Sequence, residues 1–354
     1  MSWFVGYTGK SNRNLEDFLD SLNLEKTKEI KTGNLTVICG GKEKNLIYNF
    51  SSSTGWIVSG IPIYSYYENL KFVKKEDFES LLLEAKINLK NIDGHFAGIK
   101  WSEKEIIFFN DQLGLREIYF LQVNSNILFS TRADWTAKYN KINKINFEEF
   151  STAWLLTHKI SWQNVIKNIK QLGPCGEGII QPDSSGNNEL QIKNYPLLIS
   201  NLGETENETF INHLNRFVTL SLKENKKLSL GLSGGLDSRV LLQILLSKNS
   251  DNWQTHTFGN EKIYDGKIVG QIITNNKIKH SFLEIELPSK NETIKKFFEY
   301  NAWLGLPTKI SDILIYPLYK IIDRDFDFII DGAFGEIFRR AFLVRFSLTK
   351  KMKY

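Results

Sequence analysis

The sequence predicts two domains of different class, an α+β domain of many short strands and then an α/β domain with a doubly wound parallel sheet. In the first half, short β-branched and aromatic runs are bounded by Gly, Asn, Ser or Asp, which is typical of strands. From about Thr205, strand-like and helix-like stretches alternate, which favours a parallel sheet. Because 354 residues suit two domains, we place them at 1–200 and 201–354, with a linker near 195–205.

The first half contains two predicted helices among its strands. The first, at 75–89, places Phe78, Leu81, Leu82 and Ala85 on one face, and the second covers 146–156. The Pro-Asp-Ser-Ser-Gly-Asn-Asn run within 181–194 predicts a hairpin turn. The predicted strands are 2–7, 35–39, 45–50, 55–59, 96–101, 105–110, 118–123 and 127–131.

The second half contains nine predicted elements in near alternation. Ligands of doubly wound sheets bind at the carboxyl ends of the strands, so we expect functional residues in the loops that follow strands. The predicted strands are 228–232, 254–258, 282–287 and 326–330, and the predicted helices are 206–223, 239–247, 268–274, 294–303 and 312–322, the last interrupted by Pro317.

Composition argues against several classes of protein. The 45 basic and 40 acidic residues give a net charge of +5 and are spread along the chain, unlike a nucleic-acid footprint. Cys39 and Cys175 make neither a disulfide scaffold nor a CxxC metal site. No apolar run reaches the length of a membrane span, and the first residues lack the basic and apolar regions of a signal peptide. We therefore expect a cytoplasmic protein without nucleic-acid or membrane partners.

The run Ser233-Gly234-Gly235-Leu236-Asp237-Ser238 is the most informative motif. It lies between the predicted strand 228–232 and the helix that begins at Arg239, so its backbone N–H groups lie beside the positive end of a helix. Asp237 adds a carboxylate suited to a Mg²⁺ carried by a nucleotide. No Walker A sequence occurs in the chain. The motif predicts ATP and Mg²⁺, and its alternative interpretation is a plain strand-to-helix turn.

Four further motifs accompany this loop. Asp93-Gly94-His95-Phe96-Ala97 and the Asp111 to Tyr119 run, with Gly114 at its fourth position, lie in the first half. Thr257-Phe258-Gly259 is followed by Asp265, and Asp331-Gly332-Ala333-Phe334-Gly335-Glu336-Ile337-Phe338 closes the second half. In this order the motifs resemble the asparagine synthetase family, which includes β-lactam synthetase. The resemblance implies an N-terminal Ntn-hydrolase-like αββα sandwich, glutamine amidotransferase-like, before an ATP-pyrophosphatase domain of the adenine nucleotide hydrolase-like class.

The resemblance also implies a reaction and a set of site residues. ATP would adenylate a small-molecule carboxylate with release of pyrophosphate, and ammonia or an amine would then attack the acyl-AMP. The alternative interpretation is that Phe258 and Leu232 are core residues and that Asp265 caps a helix. By resemblance, Ser233, Gly234, Gly235 and Ser238 hold pyrophosphate, and Asp237 and Glu336 bind Mg²⁺. Backbone groups of Leu232, Phe258 and Gly332, together with Asp331, contact the nucleotide.

The chain departs from the family at the glutaminase site. Ser2 stands where the family has its Cys nucleophile, and serine is a much weaker nucleophile at neutral pH. The run from Ser59 to Ser65 replaces the family's glutamine-binding Asn-Gly-Glu-Ile-Tyr-Asn. We therefore predict that the first domain does not hydrolyse glutamine.

A second departure concerns the C-terminal part of the family's ligase domain. Only 18 residues follow Glu336, where the family continues with a long helical stretch, so we expect an incomplete domain with a homodimer or a complementing chain as partner. The alternative function is a non-catalytic fragment or a regulatory homologue that retains the fold. A tRNA thiolase or sulfurylase-type enzyme is disfavoured, because both cysteines lie in the other half of the chain.

Overall fold

The computed structural model describes most of the chain as two compact units. One comprises Met1–Ser200 with Glu299–Pro307, and the other comprises Asn201–Phe298 with Thr308–Tyr354; we call them the first and second unit. The described residues are 2–9, 15–22, 24–51, 53–66, 69–83, 89, 91–123, 125–142, 144–156, 161, 163–182, 188–195, 207–284, 286–304 and 310–332.

The described part of the first unit is rich in strands. Its helices are α1 (Leu15–Asp20), α2 (Lys75–Leu83), α3 (Ala133–Tyr139) and α4 (Phe147–Leu156). Its strands are β1 (Trp3–Thr8), β2 (Lys26–Thr32), β3 (Leu35–Gly40), β4 (Leu46–Phe50), β5 (Gly55–Tyr66), β6 (Asn69–Phe72), β7 (Ile92–Trp101), β8 (Ile106–Asn110), β9 (Tyr119–Val123), β10 (Asn126–Ser130), β11 (Lys170–Gln171), β12 (Gly176–Pro182) and β13 (Asn188–Asn194).

These strands form two antiparallel sheets. One has the order β11-β9-β10-β1-β3-β2, and the other has the order β13-β12-β8-β7-β5-β4 with β6 paired to β5. In the first sheet β1 is central, since Val5 pairs with Ile38 of β3 on one side and with Ser130 of β10 on the other. The strands β12 and β13, which flank the predicted hairpin turn, pair antiparallel, and the turn itself lies outside the described residues.

Three apolar clusters arrange the first unit in four layers. Alternating residues of both sheets, among them Phe4 of β1 and Phe108 of β8, form one cluster between the sheets. The outer face of the β1 sheet packs against α1 and α3 through Leu19 and Trp135, while α2 covers the other sheet through Phe78. The layers therefore run helix, sheet, sheet and helix.

The second unit alternates helices and strands, in agreement with the sequence pattern. Its helices are α5 (Asn207–Lys223), α6 (Leu236–Leu246), α7 (Tyr264–Asn276), α8 (Lys290–Leu304), of which only the residues up to Phe298 belong to this unit, and α9 (Ile310–Asp325), which is continuous through Pro317. Its strands are β14 (Leu228–Gly231), β15 (Trp253–Phe258), β16 (His280–Leu283) and β17 (Phe328–Ile330).

The four strands of the second unit form a parallel sheet of order β16-β15-β14-β17. The chain moves from β14 outward through β15 to β16, and then returns to place β17 on the other side of β14. Since parallel crossovers are right-handed, the helices that connect these strands cover both faces of the sheet. The direction of winding reverses between β14 and β17, so the carboxyl ends of these two strands border the crevice where doubly wound sheets bind ligands.

Two element boundaries differ from the sequence prediction in ways that bear on function. The helix predicted from Arg239 begins at Leu236, so Asp237 and Ser238 belong to its first turn. The helix predicted from residue 268 begins at Tyr264 with Ile263 as N-cap. Asp265 is therefore inside the first turn, and its interpretation as a helix cap is wrong. Among the described residues, no helix is long and apolar enough to cross a membrane.

Candidate functional site

The Ser233–Ser238 loop leaves the buried centre of the parallel sheet. The Leu232 N–H donates to the His256 carbonyl at 2.8 Å, and the Thr257 hydroxyl donates to the Leu232 carbonyl at 2.6 Å. The Leu232 side chain is buried in the core of the second unit. These contacts favour the interpretation of Leu232 as a core residue, and they fix the base of the loop against β15.

The two serines of the loop hold its shape. The Ser238 hydroxyl accepts from the Ser233 N–H at 3.1 Å and lies 3.1 Å from the Ser233 hydroxyl. The Ser233 hydroxyl in turn accepts from the Gly235 N–H at 3.2 Å. Ser238 is buried, so its hydroxyl stabilises the loop through hydrogen bonds within the loop itself.

The start of α6 offers donors to an anion. Its N-cap is Gly235, which has no side chain to bond the first N–H groups of the helix. The first N–H groups of any helix lack intrahelical partners and lie at the positive end of its dipole. Because α6 has 11 residues, its aligned peptide dipoles make this end a favourable place for phosphate oxygens.

The structure brings two acidic segments to this loop, the start of α7 and the turn after β17. A Cβ atom placed on Gly332 would lie 2.8 Å from the Ser238 nitrogen and 2.9 Å from Asp237 Cβ, so only glycine allows this approach. On Gly234, a Cβ atom would lie 2.7 Å from a carboxylate oxygen of Asp265. The loop, the start of α7 and the turn after β17 therefore converge at the carboxyl edge of the sheet.

A buried histidine that none of the sequence motifs includes lies beside this edge. His256 pairs with Gly231 in the sheet register and is 2% exposed. Its Nδ1 lies 2.8 Å from the Ser229 hydroxyl. A Cβ atom on Gly231 would lie 3.5 Å from His256 Nε2 and 3.3 Å from Asp331 Cβ, so the glycine leaves room for both groups above the central strand.

Burial keeps His256 neutral. Burial and, to a smaller extent, the nearby His280 lower its pKa to about 4, while Asp331 opposes the shift. The neutral ring has one donor and one acceptor nitrogen, which suits a fixed hydrogen-bond role. His256 lies among the polar residues Gln254, Thr255 and Thr257 of its strand, so the sequence shows neither that the histidine is buried nor which glycine it faces.

The remaining predicted site residues have different outcomes. Phe258 is half-buried and packs edge-on against Tyr319 of α9 at 5.1 Å between ring centroids, which favours its interpretation as a core residue. Glu336 lies outside the described residues. Within the described part of the chain, no group of three or more His, Cys, Asp or Glu side chains could hold a metal alone.

Ser2 lies in a separate polar cluster at the start of β1. The Ser59 hydroxyl donates to Ser2 Oγ at 2.8 Å, and Arg116 Nη2 donates to Ser59 Oγ at 2.9 Å and to the Ser2 carbonyl. Arg116 is 7% exposed, and burial lowers its pKa to about 10, with Asp111 opposing the shift. At neutral pH the group next to Ser2 is thus a cation, which cannot act as a general base.

The carboxylate of Asp111 stabilises the loop that contains Arg116. Its carboxylate accepts from the N–H groups of Leu115 at 2.8 Å and Arg116 at 2.9 Å, and also from those of Leu113 and Phe96. Burial raises the Asp111 pKa, while these backbone donors oppose the shift. The Asp-x-x-Gly motif therefore closes a tight loop here, with Gly114 at a φ of +64°.

Three solved structures resemble the chain weakly. They are the glutamine phosphoribosylpyrophosphate amidotransferase of B. subtilis with ADP and GMP (TM-score 0.34, 9% identity, 80% of this chain and 91% of that chain), an allosteric regulatory enzyme of purine biosynthesis (0.28, 9%, 80% and 76%), and the glutamine-dependent NAD⁺ synthetase of Acinetobacter baumannii with ADP (0.26, 11%, 53% and 41%). No family model and no curated protein matches the chain. All three scores lie below 0.5, which is too weak a likeness to assign a family.

Proposed function

We propose that the second unit binds ATP with Mg²⁺ and adenylates a carboxylate, as an AMP-forming carbon–nitrogen ligase of the asparagine synthetase type. Ammonia or an amine would then displace AMP. The observation that carries the proposal is that the Ser233–Ser238 loop lies beside the turn at Gly332. The loop follows β14 and the turn follows β17, and the sheet reverses its winding between these two strands.

The chemistry of the loop fits a nucleoside triphosphate. The N–H groups at the start of α6 suit phosphate oxygens, and the ties between Ser233 and Ser238 shape the loop before any ligand binds. Phosphate oxygens would otherwise meet the carboxylates of Asp237 and Asp265, so a divalent cation is needed between them. Mg²⁺ usually takes one or two protein carboxylates and completes its shell with phosphates and water.

Two measurements test the nucleotide site. Titration calorimetry with ATP should show binding in Mg²⁺ that EDTA weakens at least tenfold, because the carboxylates then repel the phosphates. Asp237→Asn should weaken MgATP binding by at least tenfold, while Asp251→Asn, an exposed control after α6, should not change it. Equal binding in EDTA, or an unaffected Asp237→Asn protein, would contradict the proposal.

The adenylation step requires its own assay. Incubation with MgATP, hydroxylamine and a panel of small carboxylic acids should release pyrophosphate and yield a hydroxamate with one acid class. ATP binding without pyrophosphate release for any acid would favour the alternative function, a non-catalytic regulatory homologue that keeps the fold.

The buried Ser2 cluster supports a first unit that does not hydrolyse glutamine. Ser2 Oγ is bonded to Ser59, and its nearest charged neighbour is the Arg116 cation. The purified protein should release no glutamate from glutamine. Glutamate release that disappears in Ser2→Ala would refute this expectation.

A further inference from the structure

His256 has its ring proton on Nε2. Its partner Ser229 is fully buried, and the Ser229 hydroxyl contacts Nδ1 at 2.8 Å and no other polar group of the described structure. If Nδ1 carried the proton, this buried hydroxyl would have no acceptor for its own hydrogen, which is costly. The hydroxyl therefore donates to Nδ1, and the other nitrogen of the neutral ring is an N–H donor.

This Nε2–H group lies toward the carboxyl end of the central strand β14. Nδ1 is bonded to Ser229, whereas Nε2 is 3.5 Å from the position of a Cβ atom on Gly231, two residues further along the strand. The Phe258 ring contacts the imidazole at 5.1 Å between centroids and helps to fix it. Among the described residues Nε2 has no hydrogen-bond partner, and unlike Nε2 of His280 it is not fully enclosed. It is therefore a donor that a ligand can use.

The carboxylate of Asp331 lies across the same glycine. The Cβ position on Gly231 is 3.5 Å from His256 Nε2 and 3.3 Å from Asp331 Cβ, so these two atoms are at most about 7 Å apart. Asp331 is also close enough to raise the pKa of His256 against the effect of burial. A hydroxyl group that accepts from one group and donates to another separates their polar atoms by about 4.5–5.5 Å. The histidine and the carboxylate can therefore hold one hydroxyl group between them.

A nucleotide at the Ser233–Ser238 loop would bring hydroxyl groups to this place. Asp331 directly precedes Gly332, which approaches the Ser238 nitrogen, so the pair lies beside the loop proposed for the phosphates. Phosphate oxygens would be repelled by the Asp331 carboxylate, and the neutral His256 supplies no charge to offset this repulsion. A hydroxyl, which both donates and accepts, satisfies the two groups together. Carboxylates bind ribose hydroxyls in other doubly wound nucleotide sites.

We propose that His256 and Asp331 bind a ribose hydroxyl of the nucleotide. The hydroxyl oxygen accepts from His256 Nε2–H, and its hydrogen is donated to the Asp331 carboxylate. This inference rests on the proposed nucleotide site and gives that site a means of selecting ribonucleotides over deoxyribonucleotides.

Calorimetry with ATP, 2′-deoxy-ATP and 3′-deoxy-ATP in Mg²⁺ tests this pair. One deoxy analogue should bind at least tenfold more weakly than ATP, because the carboxylate and the N–H group then lose their partner. In Asp331→Ala, the affinity for ATP should approach that for this analogue. Asp325→Ala removes an exposed carboxylate before β17, at the other end of the strand, and should keep the wild-type preference.

The outcomes separate this inference from the proposed function. Equal affinity of the wild type for the three nucleotides, or an unchanged preference in Asp331→Ala, would overturn this inference alone. Absence of MgATP binding would overturn it together with the proposed function.

The ring nitrogens of His256 give a second readout. In a long-range ¹H–¹⁵N spectrum, the chain's five histidines give ring signals, and those missing in His256→Asn identify His256. At pH 7 the free protein should show a neutral ring with its proton on Nε2. At saturation, MgATP should shift the Nε2 signal more than the weaker deoxy analogue does. A proton on Nδ1, or equal shifts with both nucleotides, would overturn the proposal.

Discussion

The Ser2 cluster and the Ser233–Ser238 loop use polar side chains in opposite ways. In the cluster, the Arg116 cation and the hydroxyls of Ser2 and Ser59 are bonded to one another and are buried. In the loop, the serine hydroxyls bond within the loop, while Asp265 and Asp331 lie exposed at its edge. A resemblance in sequence marks both places, but only the loop presents polar groups outward.

This difference separates polar residues that stabilise the fold from polar residues that are available to a ligand. A buried group bonded to the protein gains little by turning toward a substrate, because its partner would be left unpaired. Helix N–H groups at a surface turn have no such partner. Substitutions in the Ser2 cluster are therefore expected to lower the stability of the protein. Substitutions in the Ser233–Ser238 loop are expected to lower its affinity for a ligand.

The largest expected effect is the loss of Arg116. Arg116→Ala leaves the Ser2 carbonyl and the Ser59 hydroxyl without their donor and opens a cavity, so the free energy of unfolding should fall by about 3 kcal/mol. Lys71→Ala is the control, because its ion pair with Asp77 is exposed and should contribute less than about 1 kcal/mol. Urea unfolding measures both. Equal losses in the two variants would show that the cluster is not a stabilising element.

Acid should destabilise both units through two histidines whose pKa is lowered in the folded chain. Burial lowers the pKa of His95 to about 4, with Arg116 adding to the shift, and lowers that of His256 to about 4. Between pH 6.5 and 4 the unfolded chain binds these protons and the folded chain does not, so stability falls as the pH falls through this range.

Single substitutions assign this acid sensitivity to a unit. His256→Asn keeps a polar atom near Ser229 and removes the titrating ring, so it should recover about 2–3 kcal/mol of the stability lost between pH 6.5 and 4. His95→Asn is the matched variant in the first unit. Thermal unfolding followed at both pH values checks this, and an unchanged pH dependence in both variants would contradict it.

Much of the second unit could be predicted from its sequence because its signals are local. Apolar runs of strand length alternate with helical spacing, and the Gly-Gly pair marks a turn between them, so β14, β15 and α6 were predicted to within a few residues. The first unit was harder. β2 is rich in Lys, Thr and Glu because it is an edge strand, and such a composition does not indicate a strand.

The parts of the site that sequence did not reveal depend on register. His256 reaches the candidate site only because it pairs with Gly231, and strand register in a parallel sheet is set by packing that one sequence does not display. Arg116 lies within the Asp111 to Tyr119 motif, but its bonds to Ser2 and Ser59 join three segments that are far apart in the chain. Pairings of this kind need coordinates.

Substitution of Gly332, which lies close to the loop, should have a smaller effect, and only on ligand binding. Gly332→Ala introduces a Cβ atom 2.8 Å from the Ser238 nitrogen, so the turn must move away from Asp237. We expect MgATP affinity to fall about tenfold, equivalent to about 1.4 kcal/mol, with little change in melting temperature. Calorimetry and thermal unfolding on the same samples separate the two effects. Unchanged affinity would place the nucleotide away from this turn.

The smallest effect is expected from substitution of one glycine of α7, with a second glycine of the same helix as the control. A Cβ atom on Gly270 meets nothing within 4 Å, so Gly270→Ala should stabilise the second unit by about 0.5–1 kcal/mol through helix propensity alone. Gly266→Ala is the control, since its Cβ atom would lie 2.0 Å from the Asn260 carbonyl oxygen and should destabilise the same helix. Urea unfolding measures both. Because α7 also carries Asp265, the MgATP affinity of Gly270→Ala is informative as well. Unchanged affinity would show that helix stability and nucleotide binding are separable. A loss of affinity would show that nucleotide binding depends on the whole of α7.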